Sequence, residues 1–275
     1  MEPFPPLYKK TLFVTGASRG IGLAIALRAA KDGANVAIVA KTSEPHPRLP
    51  GTIYTAAEAI RKAGGQPLPI ATDIRVEQQV ANAVEQTVHR FGGIDILVNN
   101  ASAIQLSSTL DIDLKRFDLM YQINTRGTFL CSKLCLPFLQ KAASAHVLTM
   151  APPIALEPKW FDRHVAYTVS KYAMALITFG LAAEFRALRI AFNCLWPKTV
   201  IQTAALAMIP GIDVNRCRTP DIVADAAYAI LRKDPALFSG NFCIDEDILR
   251  AEGVTDFDHY AVDQSRVPLP DLFID

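Results

Sequence analysis

Apolar runs of four to seven residues alternate along the chain with longer segments in which apolar positions recur every three to four residues. The runs cover 11–15, 35–40, 67–72, 95–99, 146–150, 189–195 and 241–244. Most are apolar throughout rather than at every second position. That pattern marks strands covered on both faces, as in a parallel sheet with helices on either side. Helical periodicity is predicted over 21–31, 53–63, 77–91, 114–142, 165–186 and 219–231. The alternation predicts an α/β, doubly wound fold with a mostly parallel sheet of about seven strands flanked by helices. With no repeat, low-complexity tract or linker, residues 1–275 read as a single domain. Two segments stand outside the alternation: 42–51, with Pro45, Pro47 and Pro50, and 200–218. Loops of that length inside a compact domain are usually functional.

Charge changes the picture by exclusion. Lys and Arg number 28 and Asp and Glu 27, well interspersed, so no basic face is offered to nucleic acid or an anionic membrane. Cys131, Cys135, Cys194, Cys217 and Cys243 form no C-x-x-C pair, and the histidines (His46, His89, His146, His164, His259) are scattered. Five reduced thiols and no metal site are expected. The first eight residues lack the basic start and apolar run of a signal peptide. The most apolar stretch, 172–185, is broken by Glu184 and is too short to span a bilayer. The last residues are no peroxisomal tripeptide. A cytoplasmic protein without a membrane span is the expectation.

Two motifs carry chemistry. The first run leads through Thr15-Gly16-Ala17-Ser18-Arg19-Gly20-Ile21-Gly22 directly into a helix. Glycines at 16, 20 and 22 let backbone N–H groups approach a pyrophosphate, and the helix N-terminus faces its charge. The second run ends Ala40-Lys41-Thr42, with no carboxylate to repel a ribose 2′-phosphate. Lys41 and Arg19 supply positive charge there, which favours NADP(H) over NAD(H); the plainer alternative makes Lys41 a solvated surface charge. Tyr167 and Lys171, four residues apart, share one helix face. A neighbouring ammonium favours the phenolate, so the phenol can exchange a proton with a carbonyl or alcohol as hydride moves. The lysine is also placed to hold ribose hydroxyls.

Taken together, these motifs resemble the short-chain dehydrogenase/reductase family over nearly the whole chain, and that resemblance implies a Rossmann-type fold. The family's T-G-x-x-x-G-x-G stands at Thr15 to Gly22, and its N-N-A at Asn99-Asn100-Ala101, followed by Ser102. Its helix asparagine is Asn124, and its tyrosine and lysine are Tyr167 and Lys171. Asp73 matches the acid that contacts adenine. By that resemblance Tyr167, Lys171 and Asn124 are the catalytic residues, with Asn124 supporting a proton relay through water. The implied cofactor contacts are Gly16, Ser18, Arg19, Gly20, Ile21, Gly22, Lys41, Asp73, Asn99, Ala101, Tyr167, Lys171 and Pro197. Lys41-Thr42, Pro45-His46-Pro47, the stretch from Gly51 to Ala57, Leu195-Trp196-Pro197-Lys198-Thr199, Gly240-Asn241-Phe242 and Ile244-Asp245-Glu246 narrow the resemblance to one branch of the family. Members of that branch can carry a C-terminal sterol-carrier-like domain, before which this chain ends.

The sequence departs from the family in one place that matters. A serine at the end of the fifth strand usually donates to the substrate carbonyl, but here the strand reads Val147-Leu148-Thr149-Met150-Ala151-Pro152-Pro153. The serine position falls on Ala151 or Pro152, and neither has a hydroxyl. His164 either replaces that donor or is a loop histidine near a helix start. Trp160 and Phe161 either line an apolar substrate pocket or cover the core. Lys198, where the family has glycine, either pairs with an acidic substrate group or points to solvent. The expected protein is an NADP(H)-dependent oxidoreductase acting on a carbonyl or alcohol of an apolar small molecule, assembled as a homodimer or homotetramer through 172–185. The rival reading is a catalytically weak NADP(H)-binding sensor or scaffold. An extended sugar epimerase or dehydratase would need a larger C-terminal domain.

Overall fold

A computed structural model of the chain describes residues 6–46, 49–204, 206 and 211–274. Pro47 of the proline motif and part of the 200–218 loop lie outside the described residues. Strand and helix alternate as β1 (Thr11–Thr15), α1 (Gly20–Ala30), β2 (Asn35–Ala40), α2 (Ile53–Lys62), β3 (Gln66–Ala71), α3 (Glu77–Phe91) and β4 (Ile96–Asn99). There follow α4 (Leu114–Met120), α5 (Thr128–Leu139), β5 (Ala145–Met150), α6 (Val165–Glu184), β6 (Ile190–Trp196), α7 (Asp221–Leu231), β7 (Phe242–Ile244) and α8 (Asp245–Ala251). The seven strands pair in the order β3-β2-β1-β4-β5-β6-β7, and every pairing is parallel.

The runs of β1, β2, β4, β5 and β6 are buried as their pattern implied, whereas β3 at the sheet edge is mostly half-buried or exposed. Side chains alternate across a strand, so Leu12 and Val14 of β1 pack toward α1 and α2, while Phe13 packs toward α3 and α5. β3 sits at one edge because Pro67 and Pro69, two residues apart, remove backbone donors from one side of the strand only. Cys131 and Cys135 lie in the second layer as free buried thiols, and burial pushes the Cys131 thiol up to about 12.

Two elements differ from the sequence expectation. The helix predicted over 114–142 is interrupted by a π-helical segment, Tyr121–Gly127. Gly127, at its end, lets Ile74 pack close: a Cβ there would fall 2.7 Å from Ile74 Cδ1. Helix α8 follows β7 without a turn and had no periodic signal of its own, being only seven residues long. α6, at 20 residues, is long and apolar enough by length and composition to cross a membrane, whereas the most apolar stretch of the sequence, 172–185, is too short to do so. In the fold it is a core helix, with Tyr167, Lys171, Met174 and Thr178 buried.

Candidate active site

The carboxyl ends of the strands open onto a cavity of about 880 Å³, lined from Gly16 and Lys41 at one end to Tyr167, Lys171 and Trp196 at the other. Ligands of doubly wound sheets bind at this edge, where the strand order reverses. β1 delivers the glycine loop. Gly16 takes φ +68°, and a Cβ on it would meet Asn100 Nδ2 at 2.9 Å; on Gly22 the same contact would be 2.4 Å. Asn100 holds the loop by donating from Nδ2 to the Thr15 carbonyl at 2.9 Å, and Thr15 Oγ1 accepts the Asn100 and Ala101 N–H groups at 3.0 Å each. Helix α1 starts at Gly20 without a side-chain cap, so its first N–H groups face the cavity's anion end.

The adenosine end carries positive charge. Gly16, Ser18, Arg19, Gly20, Ile21, Lys41, Asp73 and Ala101 all line the cavity. Arg19 donates from Nη2 to the Gly51 carbonyl at 2.6 Å, and its Nε is buried without a partner. That orphaned donor suits an anionic group, and the glycine cradle suits a pyrophosphate, so the residues fit a nicotinamide dinucleotide. Gly51 packs against this end, where a Cβ on it, at φ +94°, would lie 2.7 Å from the Ser18 carbonyl, and Thr42 and Leu49 join the lining. Asp73 also engages Arg75 through both carboxylate oxygens, which holds it below the usual carboxylate range.

Asn99 is placed differently from the expectation. It does not line the cavity; its side chain is buried and donates to Ser132 Oγ at 3.1 Å. Its neighbour Asn100 takes the place on the wall, because successive strand residues face opposite ways. Gly22 likewise lies behind the cavity, where it gives α1 and Asn100 room to approach.

At the other end, Tyr167 and Lys171 project from α6 into the cavity, and both are buried. Lys171 Nζ donates to the Met150 carbonyl at 2.6 Å and lies 5.0 Å from the Trp196 ring centroid. Burial pushes its ammonium down to about 7. Burial also raises the Tyr167 phenol, with the Asp271 carboxyl adding to the rise. In the chain alone the direction of the Tyr167 shift is therefore set by desolvation and Asp271, opposite to the lowering expected from Lys171. Asn124 is fully buried in the π-helical segment and does not line the cavity. Its Oδ1 accepts the Ala103 N–H at 2.8 Å and Nδ2 donates to the Ala103 carbonyl at 2.9 Å and to Ser170 Oγ at 3.0 Å. It ties the segment after β4 to α6.

The open alternatives resolve against special roles for His164 and Lys198. His164 Nδ1 lies 3.1 Å from Thr168 Oγ1 at the start of α6 and is not on the cavity wall. Lys198 donates from Nζ to Glu246 at 2.9 Å, so it pairs within the protein. Trp160 lines the cavity; Phe161 instead packs edge-on against Tyr172, with centroids 5.7 Å apart. Ala151 is buried against Met174, Ala175 and Cys194, and neither it nor Pro152 lines the cavity.

Sequence reasoning missed the tail. Residues 269–274 return over the site, and Leu269, Pro270, Asp271, Leu272 and Ile274 line the cavity. Trp196 Nε1 donates to the Leu272 carbonyl at 2.8 Å, and the Val200 N–H donates to the Leu269 carbonyl at 2.9 Å. Phe273 is buried among Trp160, Tyr167, Tyr172 and Trp196. The apolar Leu272-Phe273-Ile274 end was the available signal, but a three-residue run has no periodicity to read.

A glycine cradle at β1 and a tyrosine–lysine face on α6, opening onto one cavity, define a class. The chain belongs to the short-chain dehydrogenase family, whose model matches residues 10–209. Its fold binds a nicotinamide cofactor, and its members are oxidoreductases acting on small molecules. Within that family the chain is similar to hydroxysteroid dehydrogenase-like protein 2. It is 58% identical over 266 residues to the Rattus norvegicus protein, covering 96% of this chain and 50% of the relative. The Homo sapiens protein is 57% identical over 267 residues, covering 96% and 63%. The chain thus spans half to two-thirds of the length of these curated relatives. Among solved structures, a short chain dehydrogenase from Mycobacterium thermoresistibile superposes with a TM-score of 0.93 at 51% identity, over 98% of this chain and 96% of that one. A protein from Xanthomonas campestris does so with 0.96 at 58%, over 98% and 99%. A metagenomic short-chain oxidoreductase in complex with NADP shares the fold at 23% identity and a TM-score of 0.72, over 87% of this chain and 98% of that one.

Proposed function

We propose that the protein transfers hydride between NADP(H) and a carbonyl or alcohol carbon of an apolar small molecule. The observation that carries this is the shared cavity: Tyr167 and Lys171 stand on the wall that the glycine loop begins. NADP(H) bound there supplies or accepts the hydride. Gly16, Ser18, Gly20 and Ile21 cradle the pyrophosphate, Arg19 and Lys41 hold the 2′-phosphate, Asp73 borders the adenine, and Ala101 and Pro197 wall the ring end. Tyr167 gives its phenolic proton to the carbonyl oxygen in reduction and recovers it from the alcohol in oxidation. Lys171 holds the ribose and biases Tyr167; Asn124 positions both through Ser170 and Ala103. Trp160, Leu106, Leu272 and Ile274 make the substrate end apolar, which favours an apolar substrate. The unaltered tyrosine–lysine pair weighs against a purely non-catalytic role.

Val169, Leu176 and Phe179 are exposed along α6, and Phe129 is exposed on α5. That apolar strip supports a homodimer or homotetramer built on these helices. A cytoplasmic location remains part of this reading.

The test is to follow NADPH oxidation against a panel of aldehydes, ketones and acyl derivatives, with cofactor titration alongside. Turnover of at least one apolar carbonyl, abolished by Tyr167→Phe, is the expected result. Tighter binding of NADH than NADPH rejects the cofactor assignment, and an inert protein across the panel rejects the reaction.

A further inference from the structure

The end of β5 carries no neutral donor for this chemistry, and Trp160 Nε1, on the cavity wall, is the neutral N–H left buried without a partner among the described residues there. A carbonyl that accepts hydride develops negative charge on oxygen, and a donor aimed at that oxygen beside the proton-giving phenol strengthens as the charge grows. β5 provides none: Ala151 faces Met174 and Cys194, and Thr149 Oγ1 is occupied by Thr178 at 2.8 Å. His164 is engaged with Thr168 off the wall. Among the described residues two acids line the cavity, Asp73 and Asp271, and Asp271 shares its wall with Tyr167 and Lys171.

We propose that Asp271, in its protonated form, donates the second hydrogen bond to the substrate carbonyl oxygen, taking the place of the absent β5 serine. The proposal rests on the reaction assigned above. In reduction the carbonyl carbon accepts hydride from bound NADPH, its π pair moves to oxygen, and that oxygen takes the Tyr167 proton. Asp271 keeps its own proton throughout and contributes only the hydrogen bond.

The tail is built to hold this carboxyl still. The Asp271 N–H donates to the Lys198 carbonyl at 3.1 Å, and the Leu272 N–H donates to Asp271 Oδ1 at 2.7 Å. Trp196 clasps the Leu272 carbonyl. Phe273, one residue further, takes φ +71°, a conformation costly for an aromatic residue and kept only where packing imposes it. Among the described residues no group takes Oδ2, which leaves it to carry the proton. The surroundings favour the neutral acid. Burial pushes Asp271 up to about 7, with the Asp245 carboxyl adding and the Lys171 ammonium opposing. Tyr167 and Lys171 on α6, Asp245 on α8 and Cys217 in the preceding loop are the titratable groups within electrostatic reach of it. A carboxylic acid kept neutral by its site and donating to a developing oxyanion is established chemistry.

The experiment compares Asp271→Ala and Asp271→Asn with the unmodified protein on the best substrate of the panel, with Tyr167→Phe in parallel. The alanine variant should lose about 10²-fold in kcat/KM while NADPH affinity holds. The unmodified rate should fall as pH rises through about 7, and Asp271→Asn, whose amide donates at every pH, should lose most of that fall. A merely structural residue would lower the rate equally at all pH values. If alanine destabilises the fold, the asparagine variant carries the test, and a stability series accompanies it. Between the unfolded value near 4 and about 7, the folded carboxyl retains a proton that the unfolded one has lost. Stability of the unmodified protein should therefore decline across that window as pH rises, and decline less in Asp271→Asn. Asp271→Ala within about threefold of normal, or an unchanged pH fall in Asp271→Asn, overturns the assignment. Should Tyr167→Phe also stay active, or nothing turn over, the reaction assigned to the site falls with it.

Discussion

Phe273 stacks on Tyr167, with ring centroids 6.3 Å apart and planes inclined by 28°. The tail thereby forms one wall around the proposed acid/base. Phe273→Ala should cost on the order of 3 kcal/mol of stability, the usual penalty for removing a buried aromatic ring, and should lower turnover. NADPH affinity should be little changed, because Phe273 is buried behind the cavity wall rather than on it. Thermal unfolding and a fluorescence titration of NADPH check both halves; a large loss of cofactor affinity would show that the tail organises the whole cavity.

Lys41 is exposed at the adenosine end of the cavity, so its pairing with a phosphate is partly screened by solvent. Lys41→Asp should weaken NADPH binding by about tenfold, the low end for a charge-assisted hydrogen bond, and favour NADH relatively. Titrations of both cofactors decide it, and an unchanged NADPH affinity would leave Lys41 as a solvated charge.

Tyr167→Phe removes only the hydroxyl and should leave folding and NADPH binding intact while abolishing most turnover. Lys171→Ala should differ, since Lys171 is buried and donates to the Met150 carbonyl. Its loss strands that acceptor, so stability, cofactor affinity and turnover should all drop. Equal effects of the two variants on cofactor binding would argue against separate roles.

His164→Ala and Ala151→Ser should both leave turnover nearly unchanged, because neither side chain reaches the cavity wall. His164→Ala should cost only about 1 kcal/mol of stability, the scale of its lost hydrogen bond to Thr168. A tenfold loss of rate in His164→Ala would restore it as the missing donor.

His146 is buried in β5, and burial brings it down to about 4, with Lys10 adding and Asp234 opposing. The unfolded imidazole protonates near 6.5. As pH falls from about 6.5 to about 4, the unfolded chain takes up a proton that the folded chain refuses, so stability is lost across that window, by up to about 3 kcal/mol. Urea unfolding of His146→Gln should show a shallower acid decline than the unmodified protein; parallel declines would assign the loss to other groups.

The sheet, most of its helices, the glycine cradle and the Tyr167–Lys171 face were legible in the sequence because each is a local pattern. A strand covered on both faces needs an unbroken apolar run, a phosphate loop needs its glycines next to a helix start, and two residues four apart share a helix face. Even the lack of a hydroxyl at Ala151 or Pro152, just past β5, could be read directly. What replaces it could not be read. His164 looked suitable by its distance in sequence from Tyr167, yet the start of α6 turns it toward Thr168. Asn99 and Asn100 are neighbours in sequence, and only the direction of the strand's pleat decides which of them meets the cavity. Asp271 is separated from Lys171 by 100 positions, and its place depends on Trp196, Val200 and Lys198 capturing the returning tail. Long-range contacts of that kind leave no periodic trace in the residues that make them. Local patterns in the sequence carry the fold class and the Tyr167–Lys171 face, whereas only the packing of the returning tail brings Asp271 to the same cavity.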